Sequence, residues 1–181
     1  MLRPAPLCVG LVAGQRLIEL GRSRRNERVL RARGATQVGA GHYPVMVALH
    51  VGWLASTLLE GWACRRVRPT ALAGLLSAQL LRAWAISALG DQWTTRVLVD
   101  QTRPTVVTGP YRWMKQPNYV AVELEIIALP LTVRAPWSAA SWGVANALLL
   151  RHRIDVEARA RSCCERPPNT RFPVNGRSSS R

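Results

Sequence analysis

The sequence predicts an all-α, multi-span helical membrane protein of about five transmembrane helices, with its N-terminus outside and its C-terminus inside. Two observations carry this. The apolar residues come in blocks, some as long as the ~20 residues that cross a bilayer core, and nearly all the arginines fall between the blocks. The chain also has 25 Lys and Arg against 10 Asp and Glu, a formal charge of +15. Such a charge serves nucleic-acid readers, which displace phosphate counterions, and short basic loops held against an anionic leaflet. A nucleic-acid reader needs no apolar runs of spanning length, so the arrangement selects the membrane and sets nucleic acid aside.

The first block runs from Pro4 to Leu20 and carries Gln15, Arg16 and Glu19 in its second half. Arg16 and Glu19, three apart, can meet on one helix face. Gly21–Tyr43 follows with six arginines and one acid, Glu27, and reads as a short interfacial helix leading into a Gly-rich loop. Gly39-Ala-Gly41 lacks the strand and helix-opening glycines of a phosphate loop and is a turn. Pro44–Ala63 is a second span with His50 and Glu60 as its strongly polar side chains, and Ala71–Leu89 a third with Gln79 and Arg82. Beyond the polar segment Gly90–Asn118 come Tyr119–Val133, with Glu123 and Glu125, and the short block Pro136–Leu150. Pro130 and Pro136 bracket a tight turn, so the last two blocks form an antiparallel helical hairpin.

Orientation follows from the basic residues. With the first loop inside, eighteen lie on inner segments and five on outer ones, while Arg16 and Arg82 fall within spans. That is the positive-inside pattern for five spans, N-out and C-in. It places Gly90–Asn118 and the segment after Leu150 together in the cytosol. The four cysteines form no C-x-x-C pair, and His42, His50 and His152 lack metal-ligand spacing to them, so no metal is expected.

An ionisable side chain inside a span costs of the order of 2.5–3.5 kcal/mol on insertion scales. Arg16, Glu19, His50, Glu60, Arg82, Glu123 and Glu125 therefore need a reason to be there. Mutual pairing or snorkelling accounts for Arg16, Glu19 and Glu60, whereas Arg82 is too deep in its block to snorkel. Glu123 and Glu125, two apart, point to different faces, so at most one of them faces a given pocket.

The densest polar-aromatic segment is Thr108-Gly-Pro-Tyr-Arg-Trp-Met-Lys-Gln-Pro-Asn-Tyr119. Gly109-Pro110 turns the chain and Pro117 restarts a helix at its first turn. Composition alone allows an interfacial belt of aromatic and basic residues. The segment also resembles the "G-x-Y-x-x-x-R-H-P-x-Y" signature of the isoprenylcysteine carboxyl methyltransferase family, and like it precedes a short helical hairpin. Arg16-Leu-Ile-Glu-Leu, Ser23-Arg-Arg-Asn26, the run from His42 to His50, Leu81-Arg-Ala-Trp84 and Trp93-Thr-Thr-Arg96 are similar to a bacterial branch of that family. Arg153-Ile-x-x-Glu157 resembles the family's C-terminal Arg/Glu element, and the likeness covers roughly residues 7 to 158.

The resemblance implies an S-adenosylmethionine-dependent enzyme in the bacterial cytoplasmic membrane. Its cofactor site would face the cytosol, and its acceptor would be a lipid-like or prenylated molecule arriving from the lipid. Carried over residue by residue, Tyr111, Pro117, Asn118 and Tyr119, with Gln116 at the signature's His position, would bind the cofactor. Arg153 and Glu157 would be catalytic. The membrane domain would occupy residues 1–161, and 162–181 would be a disordered Arg/Pro/Ser-rich tail. Two departures stand out: Lys115-Gln116 replaces Arg-His, and Ala158 replaces a second Glu. Glutamine donates and accepts hydrogen bonds but does not titrate. Methyl transfer to a carboxylate needs positioning and dryness rather than a triad. A phenol, with its pKa of ~10, needs a base, for which Glu123 or Glu125 is the candidate. The alternatives are a non-catalytic relative or membrane scaffold with a decayed motif, and a small transporter using an Arg82–Glu123 pair. For the latter the inverted repeats of many transporters are missing.

Overall fold

The computed structural model describes residues 3–37, 42–96, 98–99 and 106–165; the Gly39-Ala-Gly41 turn and residues 166–181 of the tail expected from 162 lie outside them. Five helices make up the body: α1 (Pro4–Ala32), α2 (His42–Glu60), α3 (Pro69–Leu89), α4 (Pro117–Thr132) and α5 (Pro136–Glu165). Proline begins four of them, where its missing N–H costs nothing and its fixed φ suits the first turn. Two-residue strands β1 (Thr36–Gln37) and β2 (Leu98–Val99) pair antiparallel, tying the loop after α1 to the segment after α3.

The apolar blocks coincide with helices, but two helices outrun them. α1 continues through the arginine-rich stretch for 29 residues, so the short interfacial helix expected there is the second half of α1. Its arginines are exposed while Ser23, Asn26 and Leu30, spaced three and four apart, are buried against the body. Gly34, at φ 90, closes α1 with a Schellman turn in which Ala35 N donates to Leu30 O and Gly34 N to Arg31 O. α5 likewise continues beyond Leu150 to Glu165, and at ~1.5 Å per residue α1 and α5 are each about 45 Å long.

α4 is the central element, packed between α3 and α5, and α2 packs on α5. The core gathers Val9 and Val12 of α1, Leu49 and Trp53 of α2, Leu75 of α3, and Val122, Ile126 and Leu129 of α4. Trp53 is fully buried and its indole N–H donates to Ile126 O at 3.0 Å. α2 and α5 approach closely because Gly52 has no side chain: a Cβ there would lie 2.5 Å from the Trp142 ring.

The surface is inverted relative to a water-soluble bundle. Leu11, Leu17 and Ile18 of α1, Val51 and Leu59 of α2, Leu76 and Leu80 of α3, and Val144 and Leu148 of α5 are exposed, while Arg82, Glu125, Thr57, Thr132 and Asn146 are buried. Exposed apolar area on this scale marks a surface that something other than water covers. The stretches Tyr43–Ala63 and Pro69–Gln92 are long and apolar enough to cross a membrane, and only 22% and 28% of each is buried, unlike the core helix of a soluble protein.

Candidate functional site

The signature segment is shaped by backbone constraints. Gly109, at φ 61, starts a single 3₁₀ turn over Gly109–Arg112. A Cβ there would sit 3.0 Å from Ala88 Cβ and 3.2 Å from Trp84 Nε1, so the position needs glycine for conformation and for room. Trp113 packs edge-on against Trp84, 5.7 Å between ring centres, which holds the turn to the end of α3. Gln116 is the N-cap of α4, its carbonyl accepting from Tyr119 N and Val120 N. Pro117 is buried at the first turn, and Tyr111, Gln116, Asn118 and Tyr119 are half-buried.

α5 brings Arg153 to this segment. Arg153 is only 7% exposed, and its guanidinium lies over the Tyr119 ring, 5.4 Å from the centroid. Its Nη1 donates to Met46 Sδ at 2.9 Å and its Nη2 to Thr95 O at 3.2 Å, while buried Nε has no partner among the described residues. One side chain thus joins α2, the segment after α3, α4 and α5. Thr95 is held in turn by α1: Ser23 Oγ accepts from Thr95 N at 2.9 Å, and Asn26 Nδ2 donates to Trp93 O at 2.7 Å. Glu157 lies on the same helix as Arg153, one turn on, but its side chain is outside the described residues.

Asn118 faces the bundle interior, where Arg82 Nη1 donates to its Oδ1 at 3.4 Å. From Arg82 a chain of ion pairs continues. Arg82 Nη2 bonds Glu19 at 2.6 Å, Arg16 bonds Glu19 at 3.3 Å, and Arg16 Nη2 bonds Glu125 at 2.6 Å. Two arginines and two glutamates neutralise one another, the arrangement that lets charges survive in a low-dielectric interior. The Arg82–Glu123 pairing considered for a transporter is not formed: Arg82 binds Glu19, and Glu123 accepts from Asn146 Nδ2 at 2.6 Å on the α5 side. Glu123 and Glu125 do point to different faces, and Glu125 is the one turned inward.

The arrangement therefore brings Tyr119 and Arg153 of the two motif segments together, with Met46 and Thr95 supporting Arg153, while the neighbouring Asn118 turns inward to Arg82. Arg82 was visible as a charge deep within an apolar block. Thr95 contributes only a carbonyl and Met46 only a thioether, so neither leaves a signal in composition or spacing.

With this geometry, the comparisons with known proteins are decisive. The sequence model of the isoprenylcysteine carboxyl methyltransferase (ICMT) family matches residues 71–161. The chain belongs to that family. The match begins at α3 and ends beyond Arg153, so it takes in the signature turn, α4 and the C-terminal arginine. A Bacillus subtilis (strain 168) member, the uncharacterized protein YpbQ, is 35% identical over 159 residues, covering 85% of this chain and 94% of its own length. No solved structure matches the chain.

Proposed function

We propose that this ICMT-family protein is an S-adenosylmethionine-dependent membrane methyltransferase that methylates a carboxylate or hydroxyl of a lipid-like acceptor. The observation that carries the reading is the Arg153–Tyr119 contact, which joins the two motif segments across 34 residues of sequence. The donor set also suits the cofactor. Arg153 has an unpartnered Nε in a buried setting, which leaves capacity for the carboxylate of an amino-acid moiety. With Asn118 Oδ1 turned to Arg82, its amide nitrogen is left to donate. The aromatic faces of Tyr111 and Tyr119 suit an adenine ring or a cationic sulfur. The cofactor, when bound, would supply an electrophilic methyl group on a sulfonium. The chain's part is then to hold the two reactants in line and keep water out, which accounts for most of the rate in such transfers.

In this reading the five helices cross the cytoplasmic membrane, N-out and C-in, with the Arg153 end in the cytosol. The basic-residue bias and the two apolar stretches of spanning length support that placement. Residues 1–161 would be the membrane domain and the Arg/Pro/Ser-rich residues from 162 a tail. Cysteines introduced at positions 102 and 178 should label from the same, cytosolic face; labelling from opposite faces rejects the topology. Function is tested by titrating the detergent-solubilised protein with labelled S-adenosylmethionine. Saturable binding that weakens at least tenfold in Arg153→Ala is expected. Absence of binding would make this a non-catalytic relative, with Gln116 and Ala158 as marks of the decay.

A further inference from the structure

α2 places one further side chain at this site that neither motif contains. Met46, Leu49, His50 and Trp53 share the inward face of α2 at helical spacing. Met46 is the residue that Arg153 touches, and His50 is one turn deeper. The His50 ring stands edge-on to Trp53, 6.1 Å between centres, and its Nδ1 lies 2.8 Å from Met46 O. A carbonyl oxygen can only accept, so Nδ1 carries the hydrogen and the lone pair of the neutral ring belongs to Nε2. That nitrogen has no protein partner among the described residues, and the residue is half-buried rather than enclosed. The charges acting on the ring are Arg16 of α1 and Arg82 of α3, both paired with glutamates, and Arg153 of α5, so His50 is within electrostatic reach of both the motif junction and the ion-pair chain.

We propose that His50 is the general base of this site and that the acceptor it serves is a hydroxyl rather than a carboxylate. The inference rests on the methyltransferase reading above and deepens it. A carboxylate arrives already ionised and has no use for a base, whereas a hydroxyl must lose its proton as its oxygen becomes nucleophilic. His50 Nε2 takes that proton while the acceptor oxygen bonds to the methyl carbon. The carbon–sulfur bond of the donor breaks and its electron pair returns to sulfur. The positive charge thus passes from sulfonium to imidazolium, which later releases its proton to water.

The carboxylates are poorly placed to do this. Glu123 is turned to Asn146 on the other face of α4. Glu19 is bound by both Arg82 and Arg16. Glu125 is 1% exposed with one oxygen on Arg16, so protonating it would break a neutralised pair inside the bundle.

The test uses the full-length protein in detergent, labelled S-adenosylmethionine, and two methyl acceptors: a long-chain alkylphenol and a farnesylated N-acetylcysteine. His50→Gln is compared with His50→Asn, whose amide can still donate to Met46 O while nothing replaces Nε2. Cofactor affinity should stay within about threefold of the starting protein in both. Phenol methylation should fall by about 100- to 10,000-fold, the range general-base catalysis supplies, with any carboxylate methylation unchanged. Independently of activity, diethylpyrocarbonate should modify His50 in the folded protein, as read by mass spectrometry, and the alkylphenol should protect it. A starting protein that binds no S-adenosylmethionine rejects the methyltransferase reading and this inference with it. Several results reject the inference alone: cofactor binding with phenol methylation indifferent to both substitutions, methylation of the carboxylate probe only, His50 unmodified while exposed His152 reacts, or a comparable loss in Glu125→Gln with the His50 variants active.

Discussion

At the end of the bundle where α4 turns into α5, the polar groups are committed to the chain itself. Glu60 accepts from Trp137 N, Ser138 N and Ser138 Oγ at 2.6–3.0 Å, capping the start of α5. Arg68 N donates to Thr132 O and Arg3 reaches Trp62 O. At the opposite end and in the middle of the bundle, polar groups are brought together and left incompletely bonded. Arg153 Nε, Arg16 Nε, Gln79 Nε2 and Glu125 Oε1 are buried without partners among the described residues, with Thr57 Oγ1 the one such atom nearer the Glu60 end. Burying an unsatisfied donor or acceptor costs about 1–3 kcal/mol. The fold bears that cost in the middle of the bundle and at its Arg153 end and largely avoids it at the Glu60 end, which is the contrast expected if the proposed cofactor site lies on the Arg153 side.

The largest expected effect sharpens this contrast. Removing one partner of a buried ion pair costs about 3–5 kcal/mol, because the other charge is left uncompensated. Arg82→Met should therefore lower stability in detergent by about that much. Adding Glu19→Leu should recover a good part of it, since two apolar side chains replace a paired charge at little cost. Cofactor affinity should not recover with it, because Asn118 still lacks the donor that orients it. A double variant that regains both would reduce the Arg82–Asn118 contact to a bystander.

Next come single changes at each end. Arg153→Lys keeps the charge but loses the planar fork over Tyr119, and should weaken S-adenosylmethionine binding about 10- to 150-fold, the equivalent of about 1.5–3 kcal/mol, with little change in melting temperature. Gln116→His, alone and with Ala158→Glu, should tighten binding by up to a similar factor if the missing imidazole is what the motif lacks; the two positions belong to one site and need not add. Glu60→Gln should do the reverse of Arg153→Lys. Losing the charge that caps α5 should cost about 1 kcal/mol of stability and leave cofactor affinity alone. Thermal unfolding and equilibrium binding on the same preparations read both axes. If Glu60→Gln weakens binding as much as Arg153→Lys, the division of labour between the ends fails.

The same division governs how much could be read from the sequence. Helix positions were legible because exposed and core-facing residues are both apolar, so helices appear as blocks, and because Pro69, Pro117 and Pro136 mark their starts. The second half of α1 was hidden: Ser23, Asn26 and Leu30 form an inward stripe, but two of the three are polar and the arginines around them dominate the composition. At the site, Tyr119 and Arg153 could be named from motif resemblance, and Pro130 and Pro136 marked the α4–α5 hairpin that lets them meet; that Met46 and the Thr95 carbonyl hold Arg153 there is what no local pattern encodes. The pairing of Arg82 with Glu19 was equally invisible. They are 63 residues apart, and Glu123 offered the same charge on a neighbouring apolar block.

The smallest effect tests the Glu60 end most cleanly. Arg134 stands between α4 and α5 at φ 62, the left-handed region that a side chain enters at a cost of about 1–2 kcal/mol. It is held there by a Schellman turn: Ala135 N donates to Pro130 O at 2.8 Å and Arg134 N to Leu131 O at 3.3 Å. These two bonds set the angle at which Pro136 starts α5, and glycine makes them without strain. Against that gain stands glycine's greater freedom in the unfolded chain, of the order of 0.5–1 kcal/mol. The exposed Arg134 Nε contact to Arg66 O, long at 3.4 Å, adds little to either side. Arg134→Gly should therefore stabilise the protein by about 0.5–1 kcal/mol and raise its melting temperature by a degree or more. S-adenosylmethionine affinity should not move, since the turn lies at the far end of α4 from Asn118 and Tyr119. A shift in affinity with this substitution would mean that the angle of the hairpin sets how Arg153 meets Tyr119, and the two ends would have to be treated as one coupled device.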